Sequence, residues 1–453
     1  MLSPSIELRN ISLLLTMDKT GSFMRHVSIF IEDGRIVSIA ANGSAVREKA
    51  EVVIDCNGLI ALPGLVDAHS HINYGMAISG IVSASRERGS YIRSIVECLS
   101  LLRSDEQYAI SLLTLCKQIS NGCTSIHEPG LLSYSTSVER AVKAAGVRAL
   151  LGIPFVEFEN EYGLPPMEHD KIISLVSSHL KHFRDNTGLI EKCISPFSHL
   201  LVSMETSAVL RDIAVEHNAS ISFHSFPTQG ERRRTLELCR KEGRNSIYEL
   251  LESAGLSGSH ILLSHPVWLT STEVKHLAAD GCRGVLCPNP SSLNRGLARA
   301  PLISMVMNGM KVGLGTDSYL VSPDMDLFAV SSTASNVFAS GKWPLDSSFF
   351  LLNSITSMGA DALFPNHGYC SILEGSPADI VLIRCDSHSL SAQGSIYDSI
   401  LKGCAGSDVE YTIAGGRVLY ERGTFVCVDI EKLRLQVKDV ILRLKSTLSD
   451  THS

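Results

Sequence analysis

Leu62-Pro63-Gly64-Leu65-Val66-Asp67-Ala68-His69-Ser70-His71 is the stretch on which the reading of this chain turns. A short apolar run ends in two histidines one residue apart. Residues i and i+2 of a β-strand share a face. The spacing therefore predicts that the His69 and His71 imidazoles point at one centre and hold one metal ion. Two unrelated loop histidines would show the same spacing, and the pair alone leaves that alternative open. The rest of the chain weighs against it. His224 ends the run Ile221-Ser222-Phe223, His265 ends Leu262-Leu263-Ser264, and Asp317 ends Gly313-Leu314-Gly315-Thr316.

These runs sit in a region of alternating strand and helix signals. Ser104-Asp105-Glu106-Gln107 predicts a helix opened by a capping box, and Thr270-Ser271-Thr272-Glu273 predicts another that Gly281 closes. Short apolar runs follow the helices, at Arg148–Ile153, Ala219–Phe223, Ile261–Ser264, Arg283–Cys287 and Lys311–Gly315. Such alternation over about 300 residues implies a parallel sheet, and the length suits an eight-stranded (β/α) barrel. A doubly wound open sheet is the second choice, and no Gly-x-Gly-x-x-Gly fingerprint supports it. Outside this region both ends of the chain read as strands and tight turns. Asp33-Gly34 joins Ser28–Glu32 to a strand beginning at Arg35, and Gly415-Gly416 joins two strand-like runs near the carboxyl end. Neither end is large enough to bury a core alone. The expected organisation is one small β domain built from residues 1–62 and 370–428, a barrel at 63–369, and a helix with its tail at 429–453. The helix is expected on the surface over about Ile430 to Leu448, where the pattern is amphipathic.

The composition excludes several function classes. The chain has 453 residues, 44% of them hydrophobic and 19% charged, with a net charge of −7. Nothing in that balance favours nucleic acid or an anionic membrane surface. No apolar run reaches the roughly 18 residues that a membrane span requires. The amino terminus has no basic segment leading into a long apolar stretch, so no signal peptide is expected. The 12 cysteines form no Cys-x-x-Cys pair, which argues for buried thiols in a reducing, cytoplasmic setting.

In a (β/α) barrel, catalytic groups gather where strands end at the carboxyl face. Neutral imidazoles and one carboxylate suit a borderline divalent ion, zinc first and iron(II) second, with a position left open for water. Bound metal lowers the pKa of that water, and Asp317 is placed to take its proton.

With these residues in view, the chain resembles the amidohydrolase superfamily, in its cytosine deaminase and chlorohydrolase-like (ATZ/TRZ-like) branch. The resemblance spans nearly the whole chain. It rests on Pro63–His71, on Asn121-Gly122-Cys123-Thr124-Ser125-Ile126, on Leu314-Gly315-Thr316-Asp317 and on Ser371–Asp379. It implies that the domain built from both chain ends is a β-sandwich joined to a catalytic barrel, that His69, His71, His224 and Asp317 hold one metal, that His265 orients the hydrolytic water, and that the substrate is a small molecule. It also implies a homodimer. A two-metal branch of the family uses a carboxylated lysine. The nearest candidate is Lys192, for which an exposed lysine is the better reading.

The chain departs from the branch around the substrate. The glutamate usual three residues after the fifth-strand histidine is replaced by Pro227, which cannot transfer protons. Phe197 stands where a histidine usually follows the fourth-strand proline, and Trp268 replaces a histidine after the sixth strand. Glu128 is the first choice as replacement acid, ahead of His127 and His199. Tyr74, Phe226, Trp268, Asn289 and Tyr319 follow strand ends and are expected to line the substrate pocket. The leading functional expectation is metal-dependent hydrolysis of a C–N bond in a small cyclic nitrogen compound, by deamination or by amide or amidine hydrolysis. The alternatives are a biosynthetic ring-forming or ring-opening enzyme and a non-catalytic binding protein.

Overall fold

Pro63-Gly64 is the joint between two sheets in the computed structural model, which describes residues 4–42, 50–82, 88–132, 136–181, 183–185, 188–294, 296–343, 346–365, 371–384 and 395–451. The chain passes this joint against the strand that begins at Cys123. A Cβ at position 64 would collide with the Thr124 side chain, so only glycine fits.

Eight parallel strands follow: β1 (Leu65–Asp67), β2 (Cys123–Glu128), β3 (Arg148–Phe155), β4 (Ile190–Pro196), β5 (Ile221–His224), β6 (Ile261–Ser264), β7 (Arg283–Leu286) and β8 (Val312–Leu314). They pair in sequence order, with helices in the connections. This is the (β/α) barrel, not the doubly wound alternative. Inward side chains such as Val66, Leu150, Cys193, Leu262 and Val285 pack on one another. Their outward neighbours Leu65, Leu151, Ile194, Leu263 and Leu286 lie under the helices. This period of two is what a barrel filled from inside and covered from outside requires.

The barrel closes between β8 and β1 through the Ala68 N–H donated to the Leu314 carbonyl, 2.9 Å. A two-residue pair completes the closure, with Asp317 opposite Ser70 and Ser318 opposite His71. His69 and His71 are therefore not on one continuous strand as the spacing suggested. Strand β1 stops at Asp67, whose buried carboxyl takes the Thr316 N–H at 3.0 Å, the Thr316 hydroxyl at 2.6 Å and the Gln118 Nε2 at 2.8 Å. His69 lies in the bend that follows. Position 315 must be small, because a Cβ there would come within 2.6 Å of the His69 backbone.

The chain ends build a nine-stranded sheet. Its strands are Ile6–Leu15, Phe23–Glu32, Arg35–Ala41, Val52–Asp55, Leu59–Pro63, Ile380–Arg384, Val409–Ala414, Arg417–Glu421 and Thr424–Phe425. The two ends meet where Leu59–Pro63 runs antiparallel to Ile380–Arg384. Alternation again divides the faces. Ile60, Leu62, Val381 and Ile383 pack toward the barrel, while Leu59, Ala61, Ile380 and Leu382 enter a separate core. Asp379 clasps the two bodies together. It takes the Arg148 Nε of the barrel at 2.6 Å and the Gly415 N–H of the sheet at 2.6 Å, and is fully buried.

The expected helices form, with one change of cap. Thr270 and Glu273 make the expected reciprocal box at the start of Ser271–Ala279. At Ser104–Ser120 the cap shifts by one residue. Glu106, not Gln107, takes the Arg103 N–H at 2.8 Å, because Glu106 is also bound by Arg443 of the last helix. That helix, Ile430–Thr451, buries Leu433, Val437, Val440 and Leu444 at helical spacing. Among the described residues, no helix is long and apolar enough to cross a membrane. Nine of the ten described cysteines are buried, and Cys427 is exposed.

Candidate active site

Four histidines and an aspartate converge at the carboxyl end of the barrel. His224 is the last residue of β5 and His265 follows β6 directly, while Asp317 arrives through the closing pair with Ser70–His71. The ring of His69 lies at the centre of the group, with centroids 5.0 Å from His71, 5.2 Å from His224 and 4.7 Å from His265. Ligand atoms of His69, His224 and His265 lie within 4.8 Å of one another, and so do those of His69, His71 and Asp317. Two backbones are strained to achieve this. His265 (φ 56°) and Asp317 (φ 70°) occupy the left-handed region, at a cost of about 1–3 kcal/mol each for a non-glycine residue.

The polar bookkeeping shows what the cluster is for. Both ring nitrogens of His69 are buried without a hydrogen-bond partner, and Nδ1 of His71 faces Glu128 Oε1 at 3.6 Å, beyond hydrogen-bond distance. Buried polar atoms are almost always satisfied, and each orphan costs about 1–3 kcal/mol. A divalent cation is the ligand that would satisfy several imidazole lone pairs at one point. Burial, with the neighbouring imidazoles, holds the His69 pKa well below its usual value, so its ring is neutral and able to ligate. His224 is already oriented, since its Nδ1 lies 3.0 Å from the Phe197 carbonyl oxygen. That leaves Nε2 for the centre, the usual outer-shell arrangement for a ligating histidine. The residues present therefore fit a divalent metal.

Above this cluster lies a cavity of about 520 Å³, its open mouth included. His71, His224, His265, Asp317 and Ser318 give it a polar floor, and Tyr74, Tyr91, Ile92, Leu131, Phe197, Pro227 and Val321 give it largely apolar walls. The size and the contrast between floor and wall are those of a small-molecule site.

The structure brings together His69, His71, His224, His265, Asp317 and Tyr74. It places the other expected pocket residues elsewhere. Phe226 is buried against His199, with ring centroids 5.0 Å apart. Trp268 packs on Gly296 and under Arg299. Asn289 takes the Ser292 N–H at 2.9 Å to start the next helix turn, and Tyr319 lies against Gly75. Each does follow a strand end, but none is among the residues that line the cavity. The replacement acids behave the same way. Glu128 is buried behind His71, with its carboxyl on the Ile72 and Gly130 N–H groups. His127 sits deeper in the barrel with Nδ1 3.1 Å from the Ala68 carbonyl, and His199 bonds the Thr235 hydroxyl at 2.8 Å. Lys192 is not exposed. Its side chain is 12% accessible, on the helix-facing side of β4, 3.9 Å from Glu139.

Several participants were not assigned from the sequence. Tyr91, Ile92, Leu131 and Val321 reach the cavity from helices and loops, where no local signal marks them. Asp67 and Thr316 were within the quoted motifs. Their role in closing the barrel depends on their being 249 positions apart in the chain and 2.6 Å apart in space.

Residues 60–419 match the model of the amidohydrolase family, and the chain belongs to that family. It is a hydrolase of non-peptide carbon–nitrogen bonds. Among its relatives, a 5'-deoxyadenosine deaminase of Methanosarcina barkeri is 28% identical over 429 residues, covering 93% of this chain and 94% of that protein. A 5-methylthioadenosine/S-adenosylhomocysteine deaminase of Clostridium tetani is 24% identical, covering 96% and 98%. The fold is shared with an adenosine deaminase of Xanthomonas campestris with bound zinc, at TM-score 0.82 and 18% identity over 98% of this chain and 99% of the other. It is shared too with an atrazine chlorohydrolase of Arthrobacter aurescens complexed with zinc, at TM-score 0.82 and 18% identity over 96% and 100%.

Proposed function

We propose that this protein is a mononuclear zinc hydrolase that removes the exocyclic amino group of a flat nitrogen heterocycle of the aminopurine type. The observation that carries the reading is the set of orphaned imidazole nitrogens beside Asp317 at the floor of an aromatic-walled cavity. The deaminase relatives, aligned over nearly their full length, support the choice of reaction.

His69, His71, His224 and Asp317 would hold the ion. When bound, zinc lowers the pKa of a water molecule to near neutrality. His265 lies beside His69 and His224, where it would orient that water toward the ring carbon. Asp317 would accept a proton from the water as its oxygen bonds to the carbon. The same carboxyl would return the proton to the departing nitrogen as the C–N bond breaks, and ammonia would leave. Tyr74, Tyr91 and Phe197 hold the ring and exclude bulk water.

A second reading is favoured by Pro227, which lines the cavity where the branch usually carries its glutamate. A site without that acid suits hydrolysis of a cyclic amide or amidine, where the ring opens and no ammonia is released.

The experiment has two stages. Purified protein reconstituted with zinc should retain close to one equivalent; less than about half an equivalent would reject the metal-dependent reading. Ammonia release is then assayed with adenosine derivatives, aminopyrimidines and aminotriazines. Release from one of these classes is expected, and release from none rejects deamination in favour of ring opening.

A further inference from the structure

Glu128 ends β2 with only 3% of its side chain exposed, yet it is not among the described residues that line the cavity. Its carboxyl is held on both oxygens. Oε2 accepts the Ile72 N–H at 2.5 Å, and Oε1 accepts the Gly130 N–H at 2.8 Å. Oε1 also lies 3.6 Å from His71 Nδ1. Ile72 directly follows His71, so one carboxyl grips the backbone just past the histidine and faces one edge of its ring. Tyr74 stacks on the face of that ring, with centroids 5.6 Å apart and planes 29° apart. The ring's other nitrogen is Nε2, and one ligand atom of His71 lies within 4.8 Å of those of His69 and Asp317.

We infer that Glu128 is a positioning residue, one that fixes the orientation and tautomer of His71 for a divalent cation. With Nδ1–H directed at the carboxyl, the Nε2 lone pair is left for the ion. The two backbone N–H groups keep the carboxyl from swinging into the cavity, which is why it does not take the role of the missing acid. The inference rests on the metal-centre reading given under Proposed function.

Zinc affinity of the full chain, measured by competition with a chromophoric chelator, tests it through four proteins: the native chain, Glu128→Gln, His71→Ala and the double variant. Glu128→Gln is expected to weaken zinc binding roughly 10- to 100-fold when His71 is present. It should have almost no further effect in the His71→Ala background, because coupled residues are not additive. The cobalt(II)-substituted protein gives a second readout, in which Glu128→Gln shifts the visible d–d bands and Glu128→Asp, which keeps a carboxyl, shifts them less. Unchanged affinity in Glu128→Gln, or the same loss in both backgrounds, overturns the inference while leaving the metal centre standing. Failure of the native chain to bind zinc overturns the metal-centre reading itself. Should Glu128→Gln not fold, Glu128→Asp is read through the same cycle against the same outcomes.

Discussion

Two buried polar clusters lie at different places on the barrel, and they are built on opposite terms. At the junction with the sheet, Asp379 takes Arg148 and the Gly415 N–H at 2.6 Å each. Charge is matched and donors face acceptors. At the carboxyl mouth, His69 has both ring nitrogens buried and unpartnered, and His265 and Asp317 hold strained backbones. The first cluster is complete within the chain. The second is complete only with something the chain does not supply. A matched ion pair needs no further partner, whereas unpartnered imidazole nitrogens gathered beside a carboxylate suit a bound cation.

Substitutions on each side test that contrast. Asp317→Asn removes the proposed proton carrier, and kcat/KM should fall by roughly 10²- to 10⁴-fold. Circular dichroism and the unfolding midpoint should stay close to those of the native protein. Collapse of the fold instead would place Asp317 with the structural cluster. Asp379→Ala leaves Arg148 buried without its counter-charge, and should cost about 3–5 kcal/mol of stability in urea unfolding. KM measured well below the unfolding midpoint should hold. A large change in KM with little loss of stability would break the comparison from the other side. Thr270→Ala removes one half of a capping box on an outer helix, and should cost about 1 kcal/mol with kcat unchanged. It sets the scale for a structural change that touches neither cluster.

Much of the site was legible in the sequence, because barrel topology turns position along a strand into position in space. Once alternation indicates a parallel barrel, residues ending β1, β5, β6 and β8 must share one rim, and His69, His224, His265 and Asp317 are found together there. Legibility stopped one turn past each strand. Phe226, Trp268, Asn289 and Tyr319 sit at the right places in the sequence, yet they do not line the cavity. Direction after a strand end is set by a loop's dihedrals and neighbours, which the pattern of residue types does not encode. Tyr91 is the reverse case, brought into the wall by a helix with no sign of it in its own segment.

Glu128 shows the same limit at the finest scale. The sequence located an acid at the end of β2 beside the metal motif, and chemistry alone made it a replacement proton donor. Its role was decided by which donors were within reach, the N–H groups of Ile72 and Gly130. The His-x-His spacing is similar. The sequence determined the residue types, the strand-end positions and the family, because apolar periodicity and motif spacing are local properties of the chain. Only the tertiary structure decided that β1 stops at Asp67, that Ser70–His71 pairs with Asp317–Ser318 to close the barrel, and that His69 is left with two unpartnered nitrogens. Those outcomes depend on contacts between residues some 250 positions apart, where packing and hydrogen bonding fix the geometry.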